Sequence, residues 1–130
     1  MSDISNLPNS KKIVLKTRPD GDPKVNDFNI VEEIAKAPDD GEVLVEVQAL
    51  EIGAWIRTTL NETAFHGSTP IDGTIPALGN GKVIISKSDK FEEGDIITGP
   101  LMAQSYTTMP ADFFTKVANP EIDPFTQIGI

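Results

Sequence analysis

The chain contains no cysteine, and only one histidine, one tryptophan and one tyrosine in 130 residues. Without cysteine there is no disulfide, no thiolate metal site and no cysteine nucleophile, which suits a cytoplasmic protein. Basic residues are few: 11 Lys and Arg stand against 20 Asp and Glu, for a net charge of -9. A surface of that sign disfavours nucleic acid and anionic membranes as main partners. Long apolar runs are also missing, none approaching the ~20 residues of a membrane span. The opening MSDISNLPNS lacks the basic start and apolar core of a signal peptide. The expectation is therefore a cytoplasmic protein with neither nucleic acid nor membrane as partner.

Common catalytic constellations are equally scarce. His66 lies in a polar stretch beside Gly67 and reads as a solvated loop residue. No serine sits in a nucleophile elbow or beside a plausible base, and the carboxylates are scattered through turns. Nothing has the spacing of a phosphate-cradling loop, and no strand–glycine-turn–helix unit is present to offer one. A dinucleotide-binding half is absent from this chain.

What the chain has in quantity is turns and short β-branched runs. Pro19-Asp20-Gly21-Asp22-Pro23, Asp39-Asp40-Gly41, Asp72-Gly73, Asn80-Gly81 and Glu93-Gly94-Asp95 all read as turns. Between them, residues 12–17, 28–34, 43–52, 82–86, 95–98 and 105–109 read as strands, the pattern of a sandwich or barrel. In the longest, Val43, Val45, Val47 and Ala49 alternate with Glu42, Glu46 and Gln48. After Ala49 the parity flips, and Leu50 and Ile52 take the apolar positions. A one-residue phase change needs a bulge or bend.

Helical signal is confined to one or two turns in residues 53–60 and a short turn at 110–113, led by Pro110. Residues 61–74 are polar and aperiodic, as lids and binding loops are, and should open at low cost. Residues 1–10 read as a flexible tail, 11–122 as one β domain, and the apolar 123–130 as the start of a linker.

The segments IVLKTRPDGDPKVNDFNIVEE, DDGEVLVEVQALEIGAWIRTTLN, IPALGNGKVIISKSDKFEEGDIITG and AQSYTTMP, in that order, resemble the N-terminal half of a medium-chain dehydrogenase/reductase. More narrowly, they are similar to the zinc-independent, NADPH-dependent branch that includes leukotriene B4 12-hydroxydehydrogenase / prostaglandin reductase-like enzymes. The resemblance implies a mainly β, GroES-like partial barrel with one or two short helices, its Rossmann domain not in this chain. Where that branch has Asp-Pro-Tyr-Met-Arg, this chain has Gly53-Ala54-Trp55-Ile56-Arg57. By resemblance, Trp55 lies against the nicotinamide end of the cofactor and Arg57 anchors the loop or cofactor. In zinc-binding relatives the first ligand falls on Leu50 and the second on Asn80-Gly81, neither of which suits zinc. No zinc is expected. GPLMAQSYTTM resembles a family stretch with Trp-Gln-Glu-Tyr; Gln104 and Tyr106 match, while Ala103 replaces the Trp. Asn80, Gly81 and Tyr106 are the expected substrate-cleft residues.

The implied activity of the complete enzyme is reduction, by NADPH, of an activated C=C or carbonyl in a small apolar molecule. This chain by itself is expected to be inactive. Its expected partners are that substrate and the Rossmann domain, with room for a homodimer in the complete enzyme. The alternative is a stand-alone GroES-like barrel serving as a binding or scaffold module with no cofactor. The first reading predicts an apolar surface on the C-terminal side, meant for the missing domain, with Trp55 beside it; the second predicts that face to be polar or closed by the protein's own tail.

Overall fold

The computed structural model describes residues 6–51, 56, 59, 60 and 68–117. Its strands are β1 (Asn9–Leu15), β2 (Phe28–Ile34), β3 (Glu42–Glu51), β4 (Leu78–Ser86), β5 (Ile96–Pro100), β6 (Tyr106–Pro110) and β7 (Thr115–Lys116). Single 3-10 turns stand at Val25–Asp27 and Ala111–Phe113. The mainly β expectation holds. Among the described residues no helix is long and apolar enough to cross a membrane.

Two antiparallel sheets form. One is the β1–β2 hairpin; the other has five strands in the order β6-β3-β4-β5-β7. The hairpin does not stand apart. The Ile13 N–H donates to Ala103 O at 2.9 Å and the Ser105 N–H to Lys11 O at 2.9 Å, just ahead of β6. On the other edge of β1, the Leu15 N–H reaches Gly73 O at 3.0 Å and Ile13 O accepts from Ile75 N–H at 2.9 Å. Such backbone stitching leaves few buried polar groups unsatisfied and rolls the sheets into a GroES-like partial barrel.

Alternation along β3 explains the interior. Val43 and Val45 are fully buried with Val83, Phe91, Ile97, Leu101 and Phe114 inside the barrel. Leu44, on the opposite face, is fully buried too, against Ala35 and Ile85. The strand is thus covered on both sides at its start rather than half-buried, because the segment after β2 folds over its outer face.

Three further expectations change. The tail read over 1–10 is already structured from its second half: Pro8 O accepts from Ala35 N–H at 2.8 Å, and Ser10 is buried in β1. Asn80-Gly81 is not a turn but lies within β4, which begins at Leu78. Its glycines serve close approach instead: a Cβ on Gly81 would stand 2.5 Å from Glu46 O, and one on Gly79 would overlap Ala49 O. The third concerns 61–74. Of the part described, Thr69 is buried and Thr74 bridges Val14, so this end is tied to the barrel rather than free to open. The linker read at 123–130 lies outside the described residues.

Candidate functional site

The site grows from the parity break in β3. Pairing with β4 shifts register between Leu44 and Val45 and again between Val47 and Ala49. The second shift is the bulge that the Ala49-Leu50 phase change calls for. Past it, Leu50 pairs with Gly79, and the bare glycine lets the two backbones approach. Leu50 then lines a cavity of about 300 Å³ with Ile13, Phe28, Ile56, Leu60 and Ile75.

Each wall has a local cause. Leu15, Leu60 and Ile75 are buried together, with Phe28, Ile56 and Ala103 packed on them. Leu15 faces Phe28 across the hairpin and Ile13 faces Ile30. Ile56 and Leu60 stand four apart, a spacing that shares one helical face; Ile56 and Thr59 have helical backbone, and Thr59 Oγ1 donates to Ile56 O at 2.7 Å. Ala103 follows Met102, a non-glycine residue at φ 67. The Gln104 N–H closes a tight turn on Met102 O at 2.9 Å, which sets the Ala103 methyl at the cavity wall.

A second hollow of about 310 Å³ adjoins the first, sharing Ile13, Leu50 and Ala103 and adding Ile30, Lys11 and Gln104. The apolar surface continues onto the hairpin, where Ile13 is 41% and Ile30 69% exposed. The rim is polar at Lys11, at Lys12, whose ammonium pairs with Glu33 at 2.8 Å, and at Glu51, while the floor is hydrocarbon. Its size and lining are those of a site for an apolar molecule of modest size.

Of the expected site residues, the described ones (Asn80, Gly81 and Tyr106) do not line this cleft. Trp55 and Arg57 lie outside the described residues. Asn80 and Gly81 are buried within the sheet, facing Ala49 and Val47 on β3 and Thr98 and Ile97 on β5. Tyr106 pairs with Glu46 and packs on the Ala35, Leu44 and Ile85 cluster. It borders a separate polar hollow of about 290 Å³ with Ser10, Glu33, Lys36 and Thr108. Phe28, Leu60 and Ile75 were not anticipated as lining residues. A signal existed for Leu60 in its spacing from Ile56; for Ile75, which follows the polar stretch 61–74 with no periodic pattern around it, there was none.

Leu50 and Asn80, on which the sequence resemblance puts the zinc ligands of zinc-binding relatives, offer an isobutyl group and an amide. Among the described residues no group of three or more His, Cys, Asp or Glu gathers to hold a metal ion.

Comparison with known proteins places this geometry in context. The family described as "N-terminal domain of oxidoreductase" matches residues 11–117. The NADPH-dependent curcumin reductase of Escherichia coli (strain K12) is 24% identical over 123 residues, covering 93% of this chain and 35% of that protein. CurA from Vibrio vulnificus superposes with a TM-score of 0.86 at 21% identity, over 92% of this chain and 36% of that one. Its complex with NADPH superposes with a TM-score of 0.78 at 21% identity, over 88% and 33%. The chain therefore spans about a third of the length of these relatives.

Proposed function

The chain belongs to the "N-terminal domain of oxidoreductase" family, the barrel half of zinc-independent medium-chain dehydrogenases/reductases, and from that premise we propose that it forms the substrate side of an NADPH-dependent oxidoreductase. The substrate is a small apolar molecule bearing an activated C=C or carbonyl. One observation carries this reading: the cleft at the end of β3 is walled by Ile13, Phe28, Leu50, Ile56, Leu60 and Ile75 and stays open beside the bulge. A cofactor-free scaffold has no use for such a cleft; a cofactor-free binding module would share it, and against that module the family match favours the oxidoreductase reading.

The cofactor, when bound, supplies the hydride. The barrel's part is to hold the substrate in a water-poor pocket, with polarisation of its acceptor left to hydrogen-bond donors rather than a metal. Trp55 is assigned to the nicotinamide end and Arg57 to anchoring. Asn80 and Gly81 act from behind the cleft: they keep β3 and β4 close enough for the bulge that turns Leu50 into it. Tyr106 belongs to the far wall of the barrel and is the weakest member of the set.

Most affinity for a nicotinamide dinucleotide comes from the glycine-rich turn and helix N-terminus of a Rossmann unit, which these 130 residues do not contain. Losing contacts worth several times ~1.4 kcal/mol lowers affinity by several factors of ten. Residues 1–130 alone should therefore consume no NADPH with a small enone or quinone and bind NADPH no tighter than millimolar. Titration with NADPH, read by Trp55 fluorescence and corrected for inner-filter absorbance, checks this. Saturable quenching at micromolar cofactor would contradict the division of labour proposed.

A further inference from the structure

The segment Lys16-Thr17-Arg18-Pro19-Asp20-Gly21 carries part of the family resemblance, yet the cleft leaves it without a task. The structure gives one to Arg18. Its guanidinium Nη1 donates to Leu60 O at 3.1 Å and to Thr69 O at 3.1 Å. These two carbonyls flank residues 61–67, and a second link joins the same neck: the Thr69 N–H donates to Thr59 O at 2.7 Å, and the two threonine hydroxyls meet at 3.2 Å. Thr59, Leu60 and Thr69 are all buried. A cation donating to two carbonyls from one nitrogen, Nη1, makes strong, directional bonds, and the arginine side chain sets that nitrogen one bond further from the backbone than lysine sets its own.

Leu60 is the link to function. Its carbonyl is held by Arg18, while its side chain packs on Leu15 and Ile75 and lines the cavity. We infer that Arg18 is a positioning residue: by tying the carbonyls of Leu60 and Thr69 together, it fixes the Leu60 wall of the apolar cleft and so sets the size of substrate the cleft accepts. This inference rests on the substrate-side reading above. It predicts that Arg18 variants change how the cleft binds apolar molecules, without loosening the interior of the barrel.

The test uses the 130-residue chain and N-phenyl-1-naphthylamine, a neutral apolar fluorophore, with binding followed by fluorescence and by amide shifts at Leu60 and Ala103. Amide hydrogen exchange at Thr69 and at Val45 is measured in parallel. In Arg18→Ala, Thr69 exchange should rise and probe affinity fall about tenfold, a loss in the range of one charge-assisted hydrogen-bond pair. Val45 exchange should stay at the wild-type rate. Arg18→Lys, which keeps the charge and serves if the alanine variant does not fold, should recover at most part of the affinity. Wild-type probe affinity in a folded variant, or full recovery by lysine, would overturn the role of Arg18 alone. Equal acceleration at Val45 would reduce it to general stability and overturn it too. If the wild-type chain fails to bind the probe at Leu60 and Ala103, the cleft reading falls and takes this inference with it.

Discussion

Glu42 sits at the head of β3, at the opposite end of the strand from Leu50. Its carboxylate accepts the Asp39 backbone N–H at 2.9 Å and the Lys36 ammonium at 3.0 Å. Both favour the charged form, the backbone bond most, and hold the carboxyl below the usual range. A group whose folded pKa is depressed contributes stability that is complete above its unfolded pKa and lost as pH falls through the folded value. Glu42→Gln should therefore be less stable than wild type at neutral pH, and the gap should close as pH falls below the ordinary carboxylate range of about 4. Urea midpoints recorded across the acid range check this, and a gap that widens towards low pH would contradict it. The effect belongs to the scaffold, far from the cleft, so it should leave apolar binding unchanged at neutral pH.

Elements decide where the cleft lies. The bulge in β3 needs a partner without side chains at two places, and β4 supplies Gly79 and Gly81 on either side of Asn80. Gly81→Ala would press a methyl against Glu46 O at 2.5 Å and Val45 Cγ1 at 2.6 Å, with a rigid strand behind both. Overpacking of this kind costs about 1–3 kcal/mol, to be read as a lower urea midpoint; an unchanged midpoint would mean that the strands part more easily than their pairing implies. Sequence pattern made much of this element-level picture legible. Period-2 alternation found β3, its parity flip marked the bulge, and the β-branched run 28–34 matched β2 residue for residue. It misread Asn80-Gly81, because a glycine placed for close approach and a glycine placed for a turn look alike in one dimension. The two-residue β7 was missed for a related reason: Thr115 and Lys116 pair with β5 but carry no apolar pattern. The cleft lining was hardest to see. Phe28, Leu60 and Ile75 come from three separate segments, and only the closure of β1 onto residues 73–75 and 103–105 brings them together.

At the scale of the whole molecule, acidity and hydrocarbon are segregated. Among the described residues most carboxylates stand exposed in turns and on outer strand faces, while the end of the barrel where β3 bends presents an apolar floor from Phe28 and Leu60 across Leu50 to Ile13 and Ile30, with Glu51 at its border. Under the function proposed above, an acidic exterior leaves that floor as the seat for a neutral substrate. Family membership and the likeness to NADPH-dependent reductases agree with a barrel that handles substrate while a second domain handles cofactor. The central claim is thus about location: apolar substrate binds at the β3 bulge and nowhere else on the barrel. An amide chemical-shift titration of residues 1–130 with a small neutral α,β-unsaturated ketone tests it most directly. The account predicts shifts that saturate together at Leu50, Leu60, Ile75 and Ala103, with Glu32 and Asp112 still. Silence at those four amides, or shifts centred on Tyr106 and Thr108, would contradict it.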